Sequence, residues 1–286
     1  MRQPERLLVV TTRSKLRGAR FFPSMMGATV RVRRQLAATE GIVRWASIVA
    51  SPTEFWTITA WRNLDAMQRF MRSGAHGEIM WSFSRWLQSF WLMRWRPGPR
   101  QMGDWGGLTF ASGGSMEDDD VEDPKAAPAE VLDAMAERVP QLYRALGPDG
   151  GVSYDTAPST RRFRRYVEGT GGAVVRIVTS PAQVPQAVRE LGEVRQRLRG
   201  AGERLLGSAV GVGKRGEAFL LAVWTDPAGA GKLLDSDWAR QAAERWGGGY
   251  WASEWLPENE FGHWDGRRLR RERRRRASGP AATRPR

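Results

Sequence analysis

His76 is the residue of this chain best suited to acid–base or metal chemistry. It is one of 2 histidines, and it follows a stretch carrying Met67, Phe70 and Met71. A neutral imidazole can ligate a metal through one ring nitrogen while an acceptor behind it holds the other. It can equally take a proton from a phenolic substrate as a general base. The plain alternative is a histidine that caps a helix end and packs on Trp81. Rings surround it in the sequence. Trp61, Phe70, Trp91 and Trp95 can line a pocket for a flat apolar molecule, with methionines filling gaps, or can be ordinary core. Arg44, Arg62 and Arg94 can meet an anionic group at the mouth of such a pocket, or can be solvated surface. The chain has no cysteine, which excludes disulfides and thiolate metal sites. No metal-ligand spacing, Ser-His-Asp set or isolated carboxylate dyad stands out. The glycine-rich stretches at Gly207–Gly213 and Gly247–Gly249 do not open helices after strands, so they read as turns.

The elements that must position these residues come in two similar sets. Trp-x-x-x-Trp-x-Pro occurs at Trp91/Trp95/Pro97 and again at Trp251/Trp255/Pro257. Before each copy lies the same order of segments. A β-branched run, Leu7–Thr12 or Ala173–Thr179, reads as a strand. A helical stretch follows. It is expected near Met25–Thr39 with Met26, Val30 and Leu36 inward, and near Val184–Arg199 with Val184, Val188, Leu191, Val194 and Leu198 inward. Two runs with a tight turn between them then form a hairpin, Ile42–Ala50 with Phe55–Trp61 and Arg204–Val212 with Ala218–Trp224. On the third strand, Phe55, Thr57, Thr59 and Trp61 face one way and Trp56, Ile58 and Ala60 the other. Asn63 and Asp226 are placed to cap the next helix. The Trp-rich strand closes each set.

Strand, helix, strand, strand, helix, strand is the ferredoxin-like order. The fold class is therefore α+β: tandem ferredoxin-like repeats forming an intrachain α/β barrel-like pseudo-dimer. One apolar sheet face per repeat needs a cover, which the other repeat supplies by packing sheet on sheet. Independent domains that dimerise with other chains are the alternative, so the expected state is monomer or homodimer.

The boundaries expected are a repeat at 1–111, an acidic linker and bridging helix at 112–171, a second repeat at 172–266 and a disordered Arg-rich tail at 267–286. The linker holds the acidic run Glu117–Asp120 and cannot bury much. The bridging helix is expected over Ala129–Leu146. The chain carries a net charge of +14, and residues 267–286 hold ten Arg against one Glu. Such a tail can bind nucleic acid nonspecifically, with strong salt dependence. No apolar run spans a bilayer and no signal peptide is visible, so no membrane association is expected and the expected location is cytoplasmic.

The segment from Trp61 to His76, a strand ending in Trp followed by a helix and then a His, resembles the dimeric α/β-barrel superfamily. Antibiotic-biosynthesis-type and haem-degrading monooxygenases belong to it. Phe90–Gly98 resembles the closing strand of an uncharacterised bacterial branch. The resemblance covers most of residues 5–110 and reaches residues 172–260 only through the repeat. It implies a monooxygenase-like protein that uses O₂, with haem as a candidate cofactor. His76 would be the catalytic residue and iron ligand, and Trp61, Phe70, Trp91 and Trp95 would contact the cofactor. The bound molecule would be an apolar aromatic compound. Haem-degrading members carry an Asn on the first strand and a Trp before the His. Thr11 or Thr12 and Phe70 stand here instead, and neither supplies the same donor. The alternative function is a noncatalytic ligand-binding or scaffold protein whose basic tail contacts nucleic acid.

Overall fold

The computed structural model describes residues 7–110, 171–201, 205–214, 216–226, 228–262 and 264, without the side chains of 80–84 and 259–262. The acidic linker, the helix expected over 129–146 and the Arg-rich tail lie outside the described residues.

Residues Leu8–Leu16 form β1, Phe22–Ala37 α1, Ile42–Ser51 β2, Glu54–Trp61 β3, Leu64–Arg72 α2, Gly74–Trp86 α3 and Leu87–Gly103 β4. The same order returns as β5 (Gly171–Val178), α4 (Val184–Gly200), β6 (Leu205–Val212), β7 (Glu217–Trp224), α5 (Ala228–Leu234), α6 (Asp237–Trp246) and β8 (Tyr250–Gly262). Local chemistry sets several of these boundaries. Pro23 and Pro185 sit in the first turns of α1 and α4, where the missing N–H costs nothing. The Asn63 side chain accepts from the backbone N–H of Ala66 and opens α2.

The eight strands close into one antiparallel barrel in the order β1-β3-β2-β6-β7-β5-β8-β4. Mutual cover of the two halves is thus achieved by joining their edges as well as by facing their sheets. β4 and β8 pair along most of their length, and β2 meets β6 at Val49↔Val212. The β2–β6 seam rests on that one pair, whereas the β4–β8 seam is laddered over ten.

Alternation along the strands sends one set of side chains inward and the other toward the helices. Val9, Trp56, Ile58, Trp91, Met93 and Trp95 point into the barrel beside Val174, Leu221, Trp251 and Trp255. Gly172 and Gly207 make room in the wall. A Cβ on Gly172 would stand 2.8 Å from Trp95, and one on Gly207 2.7 Å from Trp264.

Helix α1 starts three residues earlier than expected, and its inward face is Met25, Ala28 and Leu36. Val30, expected inward, is 47% exposed. It lies about 200° around the helix from Ala28, so the face that buries Ala28 must expose it.

Candidate functional site

The barrel interior is full. Trp91 packs against Trp95 and Trp264, Trp95 against Trp255, and Trp251 against Trp105 and Trp255, with ring centroids 5.0–6.3 Å apart. Trp95 Nε1 donates to Thr11 Oγ1 at 2.8 Å, and Trp255 Nε1 to Ser253 Oγ at 3.1 Å. The cavity lined by Ile48, Trp56, Ala209 and Phe219 measures about 10 Å³. That is the space of a single water, not of an organic molecule.

Each barrel end carries a part-buried ion pair. Arg13 Nε and Nη2 donate to Glu54 Oε1 and Oε2 at 2.9 and 3.0 Å, and Trp56 Nε1 donates to Oε1 at 3.0 Å. Arg176 Nε and Nη2 both donate to Glu217 Oε1, at 3.0 and 2.7 Å. The caps are exchanged between halves. Arg13 lies 5.1 Å from the ring of Trp264, beyond β8, and Arg176 lies 5.4 Å from Trp105, beyond β4. Arg44 fixes Trp105 by donating to its carbonyl at 2.8 Å and to that of Gly106.

The outer, helix-facing side of the sheet differs between the halves. Leu92, Thr12, Thr57 and Ser47 stand side by side across β4, β1, β3 and β2. All four are partly open to solvent. The Thr12 and Thr57 hydroxyls share a hydrogen bond. Two separate apolar clusters flank this row. One contains Val10, Leu36, Trp61, Met67 and Phe70, the other Leu16, Met25, Phe55, Leu87 and Phe90. In the second half the same register holds Ala252, Val175, Leu220 and Val210. Ala252, Val175 and Leu220 are fully buried within one continuous core.

The helices are also tied differently. On α4, Glu190 accepts from the indole N–H groups of Trp238 and Trp246 at 3.2 and 3.1 Å and pairs with Arg245 at 2.9 Å. This binds α4 to α6. Five residues after its proline, where α4 has Glu190, α1 has the short apolar Ala28. The first half therefore keeps its hydroxyl row partly exposed, where the second half buries three of the four counterparts.

His76 sits in the first turn of α3, against Phe70 of one of the clusters that flank this row. Its ring lies 4.7 Å from Phe70, whose ring is 5.2 Å from Trp61. The Met71 carbonyl is 3.1 Å from Nδ1, so Nδ1–H donates and the lone pair is left on Nε2. Burial lowers the pKa of the imidazole from 6.5, and the bond to the Met71 carbonyl only partly offsets this. The ring is therefore neutral at pH 7. Gln35 holds it from α1: its Oε1 accepts from the His76 N–H at 2.7 Å and its Nε2 donates to the Ser73 carbonyl at 2.8 Å. Gly74, with φ of +54°, turns the chain beneath this amide, where a Cβ would stand 3.1 Å from Gln35 Cδ. Three residues after Ser236, the corresponding place on α6 is Ala239.

The five residues singled out in the sequence do not share one pocket. His76, Phe70 and Trp61 form a contiguous outer set, while Trp91 and Trp95 are inside the barrel on the other side of the sheet. Arg44, Arg62 and Arg94 do not converge either. Arg44 is spent on backbone carbonyls, Arg94 lies 2.9 Å from Glu258, and Arg62 is exposed beside α2. Sequence reading missed Gln35, Thr12 with Thr57 as a pair, and both part-buried Arg–Glu pairs. Aligning the halves residue by residue would have flagged the first two, since Gln35, His76 and the threonines are all unmatched in the second half.

Among the described residues no group of three or more His, Asp or Glu could hold a metal ion, and no helix is long and apolar enough to cross a membrane. A haem does not fit the packed barrel. The donor chemistry of His76 would suit an iron ligand, because a neutral ring with Nδ1–H held by a carbonyl keeps its lone pair on Nε2.

No protein-family model matches the chain, and no curated protein matches it. Solved structures do. An aldoxime dehydratase is similar at 9% identity over 91% of this chain and 83% of its own, with a TM-score of 0.51. An aldoxime dehydratase in complex with butyraldoxime is similar at 10% identity, over 91% and 81%, with a TM-score of 0.50. A provisionally assigned monooxygenase from Fusobacterium nucleatum aligns at 7% identity over 89% and 94%, with a TM-score of 0.33. At these identities the likeness to the dehydratases establishes the shared α+β barrel-type fold and nothing of the chemistry.

Proposed function

We propose that this chain is a monooxygenase-like protein of two fused ferredoxin-like repeats, residues 1–111 and 172–266, whose first repeat holds an apolar aromatic molecule with a polar end. The molecule lies between α1, α3 and the outer face of the sheet. The observation that carries this reading is the asymmetry of that face. One half exposes a hydroxyl pair to solvent between two aromatic clusters, and the other buries Val175 and Leu220 at the same register. A core position that stays polar and wet in one half while its counterpart is dry is a stability sacrifice with a use. The likeness to a dehydratase solved with butyraldoxime supports a small-molecule role for a barrel of this kind.

The chemistry follows from the side chains. Phe55, Phe90, Phe70 and Trp61 wall the opening and exclude water from the apolar body of the ligand. The Thr12 and Thr57 hydroxyls bond its polar end and set its orientation. His76 accepts a proton at Nε2 while Met71 and Gln35 hold the ring in place. Should haem be the cofactor, Nε2 is the atom that would ligate its iron, and the haem would supply electron transfer to O₂. The barrel and the second repeat are support. A second reading, ligand holding without turnover, draws on the same site and on Thr11 or Thr12 and Phe70 standing where haem-degrading members of the superfamily it resembles carry Asn and Trp.

The test is calorimetric titration of the full chain with 2-naphthalenemethanol, for the native protein and for Thr12→Val with Thr57→Leu. The double variant writes the second half's residues into the first. Binding that is lost while the fold persists supports the site. Equal binding by both proteins refutes it.

A further inference from the structure

The two halves differ in charge as sharply as in packing. Residues 7–110 carry 15 Lys and Arg against 5 Asp and Glu, whereas residues 171–264 carry 11 of each. The half with the open hydroxyl row is the cationic one. One of its arginines stands beside the β2 end of the row. Arg33, on α1, places its guanidinium 5.0 Å from the ring of Trp45. Trp45 lies on the outer face of β2, two positions before Ser47, which ends the row.

The second half provides the comparison. Arg33 lies ten residues after Pro23, and Arg195 ten residues after Pro185. Trp45 pairs with Thr59 on β3, and the residue at the same register of β6, Ser208, pairs with Ala222 on β7. Arg195 Nε donates to Ser208 Oγ at 3.3 Å. An indole offers no acceptor in that place, so Arg33 lies against the ring of Trp45 instead. Among the described residues no carboxylate pairs with Arg33. Trp45 keeps the guanidinium flat and limits its rotamers, which is the preparation a planar fork needs to meet a carboxylate.

We propose that Arg33 is the specificity residue of the first-half site, and that the site selects an apolar aromatic molecule whose polar end is an anionic carboxylate. This rests on the reading that the hydroxyl row is a ligand site. The carboxylate takes donors from Arg33 on one side and from the threonine hydroxyls on the other, while the rings of the flanking clusters cover the apolar body. The positive field of the half raises the encounter rate of such a molecule and repels cationic analogues.

The experiment compares 2-naphthoate with the neutral 2-naphthalenemethanol by calorimetry on the full chain, for the native protein, Arg33→Gln and Arg195→Gln. The native protein is expected to bind naphthoate more tightly than the alcohol. Arg33→Gln should weaken naphthoate about 10-fold or more and leave the alcohol unchanged. Arg195→Gln should alter neither. Circular dichroism melting confirms that each variant is folded, and Arg33→Lys, which keeps the charge without the fork, should fall between native and Gln. If the alcohol binds but naphthoate binds no better, or if Arg33→Gln weakens both alike, the carboxylate assignment is overturned while the site stands. If neither probe binds the native protein, the site reading itself falls and this inference falls with it.

Discussion

Gln35 and His76 lie 41 positions apart, and the side-chain oxygen of the first accepts from the backbone N–H of the second at 2.7 Å. That bond ties α1 to the first turn of α3 and places the imidazole against Phe70. Replacement of Gln35 by Ala is expected to loosen the His76 backbone and destabilise the protein by about 1–2 kcal/mol, since the Ser73 carbonyl and His76 N–H lose a partner. The His76 ring resonances, followed by NMR, should broaden or shift; unchanged resonances would show that Gln35 does not position the ring.

The lowered pKa of His76 makes a prediction about acid stability. The folded form prefers the neutral ring, so the unfolded chain binds the extra proton first as pH falls below 6.5. Stability contributed by the neutral ring is complete above that pH and declines as the pH drops from there toward the folded pKa. Melting temperatures at pH 7.5 and 5.5 should differ more in the native protein than in His76→Gln. An identical pH dependence in the two would contradict a His76 held neutral in the folded protein.

The threonine pair should be expensive to keep. Thr12→Val with Thr57→Leu adds apolar contact on a face already flanked by two hydrophobic clusters. Its unfolding free energy is expected to equal or exceed the native value, by up to about 1 kcal/mol from added burial. A marked loss of stability would mean that the hydroxyls serve the fold and not a ligand.

The exchanged Arg–Trp caps give a prediction for the barrel. Glu54→Gln leaves Arg13, which is 2% exposed, without its counter-charge. The expected cost is about 3 kcal/mol, at the lower end for buried pairs because Glu54 retains some solvent. Trp264→Ala empties the space beside Trp56 and Trp91 and should cost about 3–5 kcal/mol. Denaturant titration measures both. A Trp264→Ala protein as stable as the native one would show that the β8 extension is not part of the core.

Much of the architecture was readable from periodicity. Alternation on Phe55–Trp61 separates the two faces of β3 without ambiguity, because a strand has a period of two. The doubled Trp-x-x-x-Trp-x-Pro marks β4 and β8 for the same reason. The pattern does not say which face turns inward, so Trp91 and Trp95 were grouped with Trp61 although a sheet lies between them. Val30 was misplaced because α1 has few large apolar residues to define its phase. Gln35 was invisible, since a contact between residues on different helices has no local signature. The hydroxyl row was written in the sequence but shows only when Thr12 is compared with Val175 and Thr57 with Leu220.

The central claim is that a small molecule binds outside the barrel, on the first half's hydroxyl row. Photolabelling with a benzyl alcohol bearing a trifluoromethyl diazirine, mapped to single residues by mass spectrometry, tests it most directly. Labels are expected at Thr12, Thr57, Phe55, Phe70 and the inner face of α1, and they should be competed by 2-naphthalenemethanol. Competed labels on Trp91, Trp95 or Trp56, or on Val175 and Leu220, would contradict it.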